Sequence, residues 1–289
     1  MLRCNIAGLI PLMASDKYKD RTDDFYQQHR PAFDDIARHK SFYLLRRLPE
    51  QVAYRLLSPA LPGMLAKRKT DGLWNKSERI TYDILSAIRH ADAGEIAEAP
   101  DGPLATTLHD NRSFYALLIK KDILGVLADT DLAAMDGILS KEKNAQRADG
   151  SWEDTVVGTV AHMEALLDLG LQPDDEVIRR GVGFLFANLN EDLPGIHTKD
   201  MYGLVGHSIF TTPDRNAEFE AAQRLKPEWI PRSVCFRTLA ILPNAVCLSL
   251  LLRLGLEGDE RVSRALDSVY DLFAAYGGLC ASNIKKPFL

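Results

Sequence analysis

Four cysteines in 289 residues are too few for a disulfide framework, and they point to a reducing, cytoplasmic setting. No charge of one sign dominates: 35 Lys and Arg stand against 40 Asp and Glu, a formal net charge of −5. That balance removes any global drive toward nucleic acid, leaving only local basic clusters to consider. No run is long enough to span a bilayer, which takes roughly 20 apolar residues. The longest uncharged stretch, Thr238 to Leu252, is interrupted by Pro243 and Asn244 and reads as a buried helix. The uncharged stretch after Arg3 is short, contains Pro11 and lacks a small-residue cleavage pattern, so it makes a poor signal peptide. Alternation of period two is also scarce. What fills the chain is apolar spacing of three and four, the mark of amphipathic helices.

That spacing predicts an all-α fold of about eleven helices. The expected spans are Asp23–Arg38, Ser41–Leu57, Ser77–His90, Arg112–Ala128, Asp131–Lys143, Asp154–Leu169, Asp174–Leu189, Thr198–Phe210, Arg215–Leu225, Thr238–Leu254 and Asp259–Ala275. Pro59 to Gly63 is a breaker, Asp92 to Asp110 is the longest expected loop, and residues 1–22 are expected as a frayed N-terminal segment. Residues 23–289 are expected as one domain.

Two internal repeats organise these helices. Leu169 to Arg179 aligns without a gap on Leu254 to Arg264, with six of eleven positions identical. Gly170 and Gly255 suit the left-handed end of a helix, and Asp174 and Asp259 suit the cap of the next. Asp149-Gly150-Ser151-Trp152 repeats the earlier Asp71-Gly72-Leu73-Trp74, each ahead of a helix. Helical hairpins joined by short turns build open solenoids or closed rings.

These residues resemble a known superfamily. Gln146 to Trp152 is similar to half of the QW motif of squalene–hopene and oxidosqualene cyclases, and Arg180-Gly181-Val182-Gly183-Phe184-Leu185 to the other half. Gly277-Gly278-Leu279, with Lys286-Pro287, is similar to a stretch of protein prenyltransferase β subunits. The resemblance spans roughly Lys67 to Leu289 and implies an α/α toroid. It further implies a central cavity for an apolar ligand, of isoprenoid or lipid type, with a non-catalytic scaffold for a protein partner as the alternative. The acid motifs of those enzymes are missing. Asp129-Thr130-Asp131 continues with Leu132 rather than a second Asp, no Asp-Asp-x-x-Asp occurs, and the prenyltransferase zinc motif is absent.

Candidate site residues follow from the repeats. The offset that brings Leu169 onto Leu254 also places His162 on Cys247, along the helices expected to face the ring interior. With Cys235 and Cys280, Cys247 makes a candidate zinc set, although no Cys-x-x-Cys or His-x-x-x-His pair supports it. His162, Trp152 and Trp74 are candidate cavity residues, the tryptophans also explicable as part of the repeated turn. Trp229, and His197 and His207 around Asp200, are weaker candidates. Arg46-Arg47 and Lys67-Arg68-Lys69 are small basic clusters.

Overall fold

The computed structural model describes residues 9–27, 42–92, 101–153, 155–187 and 247–276. Helices dominate, and no strand forms among the described residues. The chain falls into two compact units: one of 33–144 and 168–170, the other of 1–32, 145–167 and 171–289.

In the first unit the organising helix is Glu78–His90, labelled α1. Ser77 caps it, its side chain accepting from Ile80 N. Ile84, Leu85 and Ile88 recur at helical spacing and are buried, each contributing about 2 kcal/mol of apolar transfer energy. Around α1 pack the short helices Phe42–Leu45, Glu50–Leu57 and Phe114–Leu118. Several expected boundaries differ here. The helix expected over Ser41–Leu57 breaks at 46–49, where Pro49 cannot supply an amide to continue it. Pro59 to Gly63 does not simply break the chain. Pro62 enters the first turn of helix Leu61–Leu65, where its missing amide costs nothing. The expected loop Asp92–Asp110 holds helix Pro103–Leu108, started by Pro103 in the same way.

The single helix expected over Arg112–Ala128 is also replaced. Phe114–Leu118 passes into a π-helical turn, Ile119–Leu124, ended by Gly125 at φ +67°. This widened turn carries the Lys120 ammonium inside. Lys120 Nζ donates to Asp131 Oδ1 at 2.8 Å and to the His109 carbonyl at 2.9 Å, and the Lys120 and Asp131 side chains are both buried. Asp131 also accepts from Ala128 N, and these bonds hold its carboxyl below the usual aspartate range against the opposing effect of burial. The pair anchors the start of helix α2, Asp129–Asn144.

The second unit contains α3, Val156–Asp168, α4, Glu176–Ala187, a helical stretch over 247–253, and α5, Glu260–Tyr276. Both repeat glycines are left-handed, Gly170 at φ +107° and Gly255 at +74°. The Leu171 amide closes on the Leu166 carbonyl, so α3 ends in a six-to-one cap. Asp259 caps α5, with Arg261 N bonded to Oδ1 at 2.9 Å. The equivalent cap of α4 is Asp175, bonded to Val177 N at 3.0 Å, rather than the expected Asp174. One more linker residue precedes α4 than precedes α5, so the ungapped alignment assigns the cap one place early.

From residue 9 onward the N-terminal segment is folded rather than frayed. Residues 9–14 are helical, and Leu9, Ile10, Leu12 and Met13 are buried. Ser15 then caps a 3-10 turn, Asp16–Arg21, and its hydroxyl donates to Glu257 at 2.5 Å. Lys17 Nζ lies 2.6 Å from Asp267, Tyr18 stacks on Tyr270 at 4.7 Å, and Phe25 meets the Tyr270 edge. The start of the chain is thereby fastened to α5. The expected helices Thr198–Phe210 and Arg215–Leu225 lie outside the described residues.

Candidate functional site

The best-defined candidate site is built on the second tryptophan turn. Asp149 Oδ1 accepts from Ser151 N at 3.0 Å and from the Ser151 hydroxyl at 2.7 Å, which lowers the Asp149 carboxyl below the usual aspartate range. Arg147 and Ser151 close the turn through Arg147 N to Ser151 O at 2.9 Å, and Gly150 sits within it at φ +91°. A Cβ at Gly150 would lie 2.2 Å from the Arg180 carbonyl oxygen, so only glycine fits. The chain then runs into α3, whose Thr159 hydroxyl accepts from the buried Trp152 N at 3.0 Å. Gln146 Nε2 donates to the Gly150 carbonyl at 3.0 Å and to the Val177 carbonyl at 2.8 Å, tying the turn to α4. Gln146 and Gly150 are thus bonded within the turn, and Gln146 also reaches α4.

The first tryptophan turn repeats the backbone closure, the aspartate cap and the threonine acceptor of the second. Leu73 N donates to Asp71 Oδ1, Lys69 N to the Leu73 carbonyl, and Trp74 N to Thr81 Oγ1 at 3.0 Å. Gly72 is at φ +83°, and Arg68 Nε takes the place of Gln146 Nε2 on the glycine carbonyl. In this turn the indole Nε1 donates to the Met64 carbonyl, and the Arg68 guanidinium lies 5.0 Å from the ring centre. Trp74 and Trp152 are 4% and 1% exposed. Protein atoms close over both, so each ring acts as core.

Of the positions at which the two turns differ, three come together in the second. His162 stands where the first turn has Ile84, Glu153 where it has Asn75, and Gly158 where it has Ile80. The His162 ring stacks on Trp152 with centroids 5.8 Å apart and planes 7° from parallel. Its Nε2 lies 3.5 Å from Glu153 Oε1, and a quarter of its side chain meets solvent. Glu153 reaches this position from a left-handed backbone, φ +57°. Gly158 leaves the room, because a Cβ there would come within 2.9 Å of Glu153 Oε2. A carboxylate and an imidazole so placed can share a charge or pass a proton, with the indole fixing the plane of the ring. Sequence reasoning identified His162 and Trp152 but missed Glu153 and Gly158. The available signal was the register of Trp74 on Trp152, carried past the tryptophan into the helix.

The other candidate residues fare differently. Cys247 is fully buried, and burial together with the nearby Glu164 pushes its thiol well above the usual cysteine value. Cys235, Cys280, Trp229, His197 and His207 lie outside the described residues. Among the described residues, no group of three or more His, Cys, Asp and Glu is placed to hold a metal ion. Nor is any described helix long and apolar enough to cross a membrane. No family model matches this chain, and no curated protein or solved structure does.

Proposed function

We propose that the protein is an α/α-hairpin repeat protein of toroid type. In this reading a ring of hairpins holds an apolar ligand of isoprenoid or lipid type against His162. Two observations support the ring. The tryptophan turn occurs twice with the same threonine acceptor for its tryptophan amide, and residues 9–27 are fastened to α5 and the turn before it. The ligand reading is carried by one observation: a histidine, paired with a carboxylate, replaces a core isoleucine in the same turn.

Thermal denaturation with farnesyl and geranylgeranyl compounds tests it. At about a hundredfold excess over the dissociation constant, stabilisation of about 2.7 kcal/mol is expected, visible as a rise of several degrees in Tm. His162→Leu should reduce that rise without lowering the Tm of the free protein. No rise with either compound overturns the ligand reading and favours a scaffold that binds another protein. The closed surroundings of Trp74 and Trp152 are the observation on that side. Zinc on Cys235, Cys247 and Cys280 rests on the sequence alone. Metal content of untagged protein tests it, about one equivalent supporting the site and less than about a tenth overturning it. A cytoplasmic location is proposed from the low cysteine content.

A further inference from the structure

The two basic clusters acquire a meaning when burial is added. Residues 42–70 contain six cations, Arg46, Arg47, Arg55, Lys67, Arg68 and Lys69, and one carboxylate, Glu50, in a chain of net charge −5. Arg46 is engaged with Asp168 and the Tyr82 ring, and Arg68 with Gly72 and Trp74. Arg55, Lys67 and Lys69 are exposed. Among the described residues four large apolar side chains are exposed, and three of them, Tyr43, Tyr54 and Leu65, fall in this same stretch. From Ser58 to Ala66 the chain has no charge at all, and Pro59, Pro62, Gly63, Leu65 and Ala66 are exposed. The buried face of helix Glu50–Leu57 is Val52, Ala53, Leu56 and Leu57, which leaves Tyr54 and Arg55 outward.

We infer that residues 54–69 form a surface that docks on an anionic phospholipid bilayer. The uncharged turn 58–66 would sit at the level of the headgroups, with Lys67 and Lys69 on lipid phosphates and carboxylates. Two short helices joined by a brief turn keep these groups within roughly 20 Å of one another. Cations alone would suit any polyanion. An exposed apolar turn between cations suits a surface that is charged outside and apolar beneath, and Tyr at its edge suits the interface. Nucleic acid offers no such apolar layer to Leu65 and Pro62. The inference stands independently of a bound isoprenoid, since it uses no residue of the His162 site.

Co-sedimentation of the intact protein with vesicles tests it, using phosphatidylcholine alone and phosphatidylcholine with about 30% phosphatidylserine. Binding is expected on the anionic vesicles only, weakening as salt rises from about 0.05 to about 0.5 M. Each cation should contribute about fivefold to partitioning, so the double variant Lys67→Glu, Lys69→Glu should lose well over tenfold. Leu65→Asp should lose about tenfold as well, with an unchanged thermal melt because the side chain is exposed. His162→Leu should bind vesicles as the parent does. Absence of binding to anionic vesicles overturns the inference. So does binding indifferent to Leu65→Asp, or a duplex oligonucleotide held as tightly as the vesicles.

Discussion

The turn at Trp74 and the turn at Trp152 share a backbone and differ in what stands on it. Both run Asp-Gly-x-Trp, with glycine φ values of +83° and +91°, and both satisfy the tryptophan amide with a threonine hydroxyl further along the chain. The first continues into Asn75, Ile80 and Ile84, and its helix is ordinary core. The second continues into Glu153, Gly158 and His162, and its helix carries a stacked imidazole with a carboxylate 3.5 Å away. A duplicated scaffold thus separates the residues the turn repeats from those it does not. The shared ones are structural by repetition. Among the many positions that differ, Glu153, Gly158 and His162 come together in space and are the place to look for chemistry.

The largest effects should come from the shared glycines. Gly150→Ala meets both a left-handed φ and a carbonyl oxygen 2.2 Å from the new Cβ, so a loss of about 3 kcal/mol or more is expected in urea denaturation. Gly72→Ala meets Leu104 at 2.7 Å and should lose somewhat less, about 2 kcal/mol. If Gly150→Ala proves the milder, the two turns do not bear the same strain. Next come the hydroxyls. Thr81→Val and Thr159→Val each leave a buried tryptophan amide without its acceptor, at a cost of about 1 to 3 kcal/mol. Thr81→Val should cost slightly more, because the Thr81 hydroxyl also donates to the Ser77 carbonyl at 2.8 Å whereas Thr159 reaches the Trp152 carbonyl only at 3.4 Å, and a reversed order would break that account.

Smaller effects sharpen the difference instead. Gly158→Ala should leave stability within about 1 kcal/mol, since better helix propensity offsets the contact with Thr155 and Glu153. It should nevertheless displace the Glu153 carboxylate. The ring NMR signals of His162 should then change as they do in Glu153→Gln, and unchanged signals in both variants would dissolve the pair. The smallest effect is one of pH. Hydrogen bonds from the Ser151 amide and then its hydroxyl keep the folded Asp149 carboxyl below its unfolded value. Their contribution is therefore present above the ordinary aspartate range and fades as pH falls through the lowered one. Ser151→Ala should flatten the acid limb of the melting-temperature profile slightly. Leu73 has no hydroxyl to give Asp71, so Leu73→Ala should leave that limb's shape as it is.

The helical class and the repeat were legible because both live in local sequence. Apolar spacing marks α1 and α5 directly, and the Asp-Gly-x-Trp identity marks the turns. The limits are equally local in cause. A π-turn leaves no periodic signature, so the one helix expected across Ile119–Leu124 hid the bulge that buries Lys120. Proline reads as a stop at Pro62 and Pro103, yet at both positions it begins a helix. The Asp175 cap lies one place from its expected position because the two linkers differ by a residue. His162 and Trp152 were found by register and type. Nothing in the local sequence marks Glu153, because its approach to His162 depends on the space left at Gly158.

What the sequence by itself determined is the helical content, the two tryptophan turns and the left-handed glycines, since each depends on φ preference, side-chain type and spacing within a few residues. Tertiary structure decided which of these residues meet. The joining of Ser15, Lys17 and Tyr18 to α5 and the turn before it spans 242 to 250 positions, a separation across which no pattern of three and four carries information. The approach of Glu153 to His162 depends on an absent side chain at Gly158, and empty space is not written in any one residue.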